Sequence, residues 1–243
     1  MDVVALDAAI AKHDVKACWF MTSFQNPTGA TMPPEAKREL VALLAKHQIP
    51  LIEDDVYAEL CFKGDRPKPA KTFDSKGLVL SCGSFSKSLA PGYRLGWIAA
   101  GRFADAILRR KITTSLATSI PIQNGIASML RHEAYDSHLD RLRRALQLQQ
   151  QQLLAALRKH FPAHRVSTPC GGYFAWVELE ANVDALQVHQ RALDASISVA
   201  PGPMFSPRRE FRNCLRLNFG HPWTSTLDDA IAELGKIVRD VAV

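Results

Sequence analysis

The string SFSKSLAPGYR, residues 84 to 94, gathers residue types that explain one another. A lysine amine, here Lys87, can condense with an aldehyde and then serve as the base that moves protons on the adduct. Ser84 and Ser86 offer hydroxyl donors, and Arg94 adds a planar fork of N–H donors, a set that suits a phosphate. Lys87 is therefore tethered beside an anion site. Taken alone, the same string also describes a surface lysine in a serine-rich loop.

Asp54 and Tyr57 follow an apolar run in IEDDVY. A carboxylate at a buried strand end can keep a pyridine nitrogen protonated, which makes the ring an electron sink, and a phenol can hydrogen-bond an oxygen on that ring. Asn26, in NPTG, can reach the same oxygen from a neighbouring strand end. Each residue also has an ordinary structural explanation: Asp54 as a helix cap, Tyr57 as a half-buried anchor, Asn26 as a turn residue.

The elements that must position these groups are readable from periodicity and punctuation. ACWFMTS, residues 17 to 23, reads as a strand that enters a turn built from Asn26, Pro27 and Gly29. Thr31 is expected to cap a helix with Pro33, Pro34 and Glu35 in its first turn, ending before Pro50. PLIED then supplies a second strand, so residues 17 to 55 form one βαβ unit of a parallel sheet. Further strands are expected at 78 to 82 and 95 to 101, with the SFSK loop between them. Ligands of open α/β sheets bind outside the carboxyl ends of strands, where that loop lies.

Residues 134 to 160 read as one long helix with Leu139, Leu142, Leu146, Leu153 and Leu157 on one face, stopped by Pro162. Beyond it, strands are expected at 173 to 179, 196 to 202 and 214 to 220, with helices at about 183 to 194 and 226 to 241. The fold class is thus α/β, a mostly parallel sheet with flanking helices, followed by a smaller α+β domain. The expected division is 1–133, a bridging helix 134–162, and 163–243.

The order NPTG, DxxY, SxSKxxxPGxRxG and RLNF resembles the fold type I aminotransferases that use pyridoxal 5'-phosphate (PLP), from residue 17 to the C-terminus. The resemblance implies that Lys87 forms the internal aldimine, that Asp54 pairs with the pyridine nitrogen, and that Asn26 and Tyr57 contact the ring oxygen. It implies further that Ser84, Ser86 and Arg94 bind the phosphate and that Arg216 grips a substrate α-carboxylate. Gly172, Tyr173 and the SVAPGPMF loop either border the substrate pocket or are strand-end turns.

FQNPTGATMP, IEDDVYAEL, SFSKSLAPGYRLGW and CLRLNFGHPWT are similar to the aminotransferase-like domains of MocR-type regulators of the GntR family. That subgroup implies an effector-binding domain whose ligands are amino acids or amines and 2-oxo acids, working as a homodimer. It touches DNA only through a helix-turn-helix domain absent from this chain. The alternative is a free-standing amino acid aminotransferase. Only a helix-like lead, residues 1 to 16, precedes the NPTG strand, so the family's N-terminal part is expected to be missing and the chain alone to bind PLP poorly and be inactive.

Composition narrows the rest. With 243 residues, 47% of them hydrophobic, the chain can bury a substantial core. No run approaches the roughly 18 apolar residues of a membrane span, and the start lacks a signal peptide's basic end, which places the protein in the cytoplasm. Five scattered cysteines, never spaced as CxxC, argue against zinc or a disulfide framework. The net charge of +6 is dispersed; the clusters at Arg109, Arg110, Lys111 and at Arg141, Arg143, Arg144 read as solvated helix faces.

Overall fold

The computed structural model describes residues 2–242. Two compact units emerge, one made of the chain up to Gln25 with Ala30–Leu142, the other of Asn26–Gly29 with Arg143 onward.

In the first unit, α1 (Val3–Lys12) and α2 (Pro34–Lys46) accompany a sheet of β1 (Cys18–Phe20), β2 (Leu51–Asp54), β3 (Val79–Ser84) and β4 (Gly96–Ala99), in that spatial order. The first three strands are parallel and β4 is antiparallel to β3. A single turn, α3 (Phe85–Ser88), leaves the end of β3, and α4 (Ala104–Ser115) and α5 (Ile120–Arg131) follow β4. Parallel pairing of β1 with β2 requires a crossover, and α2 provides it. Its Lys37, Leu40, Val41 and Leu44 recur at helical spacing and are buried. The three apolar residues join Cys18, Met32, Ile49, Leu51, Ala70 and Val79 in one core; fully burying a leucine there contributes roughly 2 kcal/mol.

The elements differ from the sequence expectation where hydrogen bonds find other partners. β1 stops at Phe20 rather than residue 23 because the next side chains are used elsewhere. The buried Thr22 hydroxyl donates to Glu53 at 2.7 Å, and the Lys37 ammonium donates to Ser23 at 2.9 Å. Thr31 does not cap α2. Pro33 stands at that cap, and the Thr31 hydroxyl accepts from the Phe24 N–H at 3.1 Å, a backbone group turned out of line by Phe24's φ of 48°. Helix α4 carries no buried residue, although Ala104, Ile107, Leu108 and Ile112 recur at helical spacing; Leu108 and Ile112 are more than half exposed.

The second unit holds most of the long helix α6 (Ala134–His160), whose bounds match the expectation, and an antiparallel sheet in the order β5-β6-β8-β7. These strands are β5 (Arg165–Val166), β6 (Phe174–Glu178), β7 (Ala200–Pro201) and β8 (Cys214–Asn218). Ala175 pairs with Leu217 and Val177 with Leu215, so these four share one sheet face, and all are buried. With them in the unit's interior are Leu146, Leu153 and Leu157 of α6, Val188 of α7 (Ala185–Asp194) and Leu234 of α8 (Ser225–Ala242). The strand expected at 196 to 202 shrinks to Ala200–Pro201. Pro201 cannot donate to a ladder, and a 3-10 turn, Gly202–Phe205, takes over.

Candidate cofactor and carboxylate site

The lysine loop is built by the end of β3. Ser84 sits at the N-cap of α3 and its hydroxyl accepts from the Ser86 N–H at 3.1 Å, which turns the chain sharply and projects Lys87 from the single turn that follows. Lys87 itself is exposed. The turn is pinned from behind by its buried neighbour Ser88: Tyr135 donates its hydroxyl to Ser88 Oγ at 2.7 Å, and His138 Nε2 donates to the Ser88 carbonyl at 2.8 Å. Sequence reasoning missed Ser88, Tyr135 and His138, because they lie about 50 residues apart and nothing in their spacing links them.

Arg94 closes the loop. Its backbone is left-handed, with φ 50°, and its guanidinium donates to Ser86 Oγ at 3.3 Å and to the Pro91 carbonyl at 3.4 Å. Two of the three expected phosphate donors, Ser86 and Arg94, are therefore in contact, and the third, Ser84, caps the same turn. One short segment carries the hydroxyls, the guanidinium and the amine.

Asp54 ends β2 directly beside this segment. It pairs in register with Cys82 of β3, two residues before Ser84. Burial pushes the Asp54 carboxyl above its ordinary pKa, while the Val56 N–H, hydrogen-bonded to it at 3.5 Å, and the indole of Trp19, on the neighbouring strand, pull the other way. Tyr57, three residues on, is buried at the start of a 3-10 turn, Ala58–Leu60. Neither Asp54 nor Tyr57 caps a helix with its side chain.

The opposite face of β2 is ionic as well. Glu53 is fully buried and accepts from Thr22 and from the backbone N–H groups of Ala70 and Lys71. Asp55 is bridged by Arg66 at 2.8 Å, and Arg66 also reaches Glu59 at 3.2 Å. Burial and the Glu53 charge raise the Asp55 pKa to about 6 against the opposing pull of Arg66 and Lys37.

In the second unit Arg216, half-buried on β8, donates from Nη1 to Asn26 Oδ1 at 2.8 Å. Its guanidinium carbon lies 4.2 Å from the Phe174 ring centroid and 5.0 Å from that of Phe205. Trp176, opposite Arg216 in the ladder, packs edge-on against Phe205 and Phe211 at 5.9 Å. Stacking on aromatic faces stabilises the cation without consuming its in-plane N–H groups, which are what a carboxylate binds bidentately. Phe174 and Phe205 were not singled out in the sequence. Gly29 makes the NPTG turn possible here: its φ is +73°, and a Cβ would stand 2.7 Å from Pro169.

Cys18, Cys61 and Cys214 are buried, Cys82 is half-buried, Cys170 is exposed, and all are free thiols. Arg109, Arg110 and Lys111 lie exposed on α4, as do Arg141 and Arg144 on α6, with Arg143 partly covered. Among the described residues no helix is long and apolar enough to cross a membrane, and no cluster of three or more His, Cys, Asp or Glu is placed to hold a metal.

A lysine turn, a carboxylate and a phosphate-type donor set gathered at the carboxyl ends of adjacent parallel strands define a class of protein. The aminotransferase class I and II family model matches residues 1–234, and the chain belongs to that family. Among individual proteins, it is 42% identical over 241 residues to YdcR of Escherichia coli (strain K12), an uncharacterized HTH-type transcriptional regulator; the match covers 99% of this chain and 52% of that one. An uncharacterized aminotransferase of Saccharolobus solfataricus, SSO0104, is 31% identical over 235 residues, covering 96% of this chain and 59% of its own. The fold matches the multiple substrate aminotransferase of Thermococcus profundus with a TM-score of 0.92 and 28% identity, over 99% of this chain and 61% of that one. LysN, the alpha-aminoadipate aminotransferase of Thermus thermophilus complexed with N-(5'-phosphopyridoxyl)-L-leucine, matches at 0.91 with 27% identity, covering 99% and 63%. The chain spans about half the length of the regulators it matches.

Proposed function

We propose that this chain is the PLP-binding, effector-sensing part of a MocR-type regulator of the GntR family. The observation that carries the cofactor assignment is the contact of Arg94 with Ser86 beside Lys87, on the strand end next to Asp54. These donors fit the cofactor's phosphate, and the carboxyl fits its pyridine nitrogen. When bound, PLP supplies an aldehyde carbon and an electron-withdrawing ring. Lys87 would hold the aldehyde end and carry the proton to or from the amino compound. Asp54 must be ionised to hold the ring nitrogen's proton, which its hydrogen bonds favour and its burial opposes. Tyr57 would serve the ring oxygen, the role the family resemblance also gives Asn26, whose Oδ1 accepts from Arg216. Arg216 would take the α-carboxylate of an amino acid.

The regulator reading rests on the similarity to YdcR and to a second E. coli HTH-type regulator, YjiR, which is 34% identical over 98% of this chain. The resident activity would be ligand sensing: with PLP held by Lys87, binding of an amino compound would shift a conformational equilibrium. The full protein works as a homodimer in the cytoplasm, contacting DNA outside this segment. A second reading, a free-standing amino acid aminotransferase, is favoured by the presence of Lys87, Asp54 and Arg216 together, since a pure sensor has to hold the cofactor but does not need the set for full turnover. The deciding experiment uses the full-length protein. DNA binding that responds to PLP and an amino compound supports the regulator, whereas steady conversion of an amino acid and a 2-oxo acid without a DNA response supports the enzyme. Visible cofactor absorbance equal in wild type and Lys87→Ala would overturn both.

A further inference from the structure

Lys87 stands on a helical turn too short to hold itself. The turn α3 has four residues, Phe85–Ser88, and is closed by the Leu89 and Ala90 N–H groups, which donate to the Phe85 carbonyl at 2.8 and 3.1 Å. Isolated helical segments of that length are unstable in water, because a first turn fixes several dihedrals for very few hydrogen bonds. Tertiary contacts must therefore keep it folded. Residues three apart share a helix face, so Phe85 and Ser88 point one way and Lys87 points away from them; Ser88 is buried and Lys87 exposed. Tyr135 meets both ends of the inner face. Its ring packs edge-on against Phe85, with centroids 5.9 Å apart, and its hydroxyl donates to Ser88 Oγ at 2.7 Å. His138 lies three residues further along α6, on the same helix face as Tyr135, and donates from Nε2 to the Ser88 carbonyl at 2.8 Å. That carbonyl is at the C-terminal end of the turn, where a helix leaves its acceptors without an internal donor. Ser88, Tyr135 and His138 all belong to the first unit.

We propose that Tyr135 and His138 are positioning residues for Lys87, holding its turn through Ser88 so that the amine is presented to the cofactor aldehyde in one direction. This rests on the cofactor reading above and adds to it two residues outside the four motifs. Both hydrogen bonds end on Ser88, the residue that follows the lysine, so they act on the backbone that carries the amine. The other contacts of the loop hold different points. The Phe85 N–H donates to the Leu95 carbonyl at 3.1 Å and fixes the start of the turn, while Arg94 reaches Ser86 at 3.3 Å. Without Tyr135 and His138 the end of the turn would keep a buried hydroxyl and a carbonyl short of donors, and the turn would open more often.

The test uses the full-length protein with Tyr135→Phe, which keeps the ring and removes the donor, with Ser88→Ala, which removes the accepting hydroxyl, and with the two combined. Two quantities are read. Hydrogen exchange without PLP follows the Leu89 and Ala90 amides that close the turn, with the β2 amides as the reference for the unit. PLP half-saturation is followed by absorbance. Tyr135→Phe should speed exchange at the turn and weaken PLP binding, each by roughly three- to tenfold, and leave β2 unchanged. Adding Tyr135→Phe to Ser88→Ala should change neither quantity further, since the bond is already gone. His138→Ala should act as Tyr135→Phe does, and His138→Gln, which keeps an N–H donor, should restore most of the affinity. Exchange that rises equally in β2 and in the turn, effects that add in the double variant, or PLP half-saturation equal to that of wild type would overturn the proposal. If wild type takes no PLP, the cofactor reading falls, and exchange at the turn still decides whether Tyr135 and His138 hold the backbone of Lys87.

Discussion

Lys87 is an exposed amine on a turn pinned from behind by Tyr135 and His138 through Ser88. Lys87→Ala should therefore leave stability within about 0.5 kcal/mol of wild type while removing the visible absorbance of bound PLP, as denaturation and absorbance titrations of the same preparation would reveal. Arg216 is the opposite case, a half-buried cation held by Asn26 and by two phenylalanine rings. Replacing it with lysine keeps the charge and loses the planar fork. Affinity for a 2-oxo acid should fall by about 1.5–3 kcal/mol, measured by calorimetric titration; equal affinity would remove Arg216 from the carboxylate role.

The elements matter through what they bring to the carboxyl ends of β2 and β3. Gly83 pairs with Trp97 across β3 and β4, and a Cβ there would stand 2.3 Å from the indole. Gly83→Ala must push Trp97 away and strain the strand that leads into Ser84. The expected cost is about 1–3 kcal/mol, seen as a lower denaturant midpoint. Ser84→Ala removes the cap of α3, at about 1 kcal/mol. Because that turn presents Lys87, PLP affinity should fall in Ser84→Ala by more than stability does.

At the scale of the whole molecule, buried charge sets how stability follows pH. The folded state raises the Asp55 pKa from 3.8 to about 6, so it binds a proton that the unfolded chain has already released in that window. Its contribution is greatest at the acid side and is lost as pH rises from about 4 to about 6, by at most roughly 3 kcal/mol. Asp74 works the other way. Burial raises its pKa, but bonds from the Val79 and Leu78 N–H groups and from Lys71 outweigh that and lower it, so its contribution is present at neutral pH and lost on acidification. The comparison that isolates Asp55 is Asp55→Asn: urea midpoints measured from pH 4 to 7 should show a smaller decline with rising pH than wild type. An unchanged pH profile would mean that Asp55 titrates normally in the fold.

Local periodicity and turn chemistry decided much of this protein before folding. The 134 to 160 helix was legible because five leucines recur on one face, and the crossover helix because Pro34 and the Leu40, Leu44 spacing mark its start and inner side. The lysine, serine and arginine of one loop were legible because they are neighbours in sequence. What the tertiary structure alone decided were partnerships between distant residues: Tyr135 and His138 on Ser88, Asn26 on Arg216, Phe205 beside the guanidinium. Such contacts are set by strand register and side-chain direction, and both follow from how sheets assemble, a long-range outcome that no window of sequence contains.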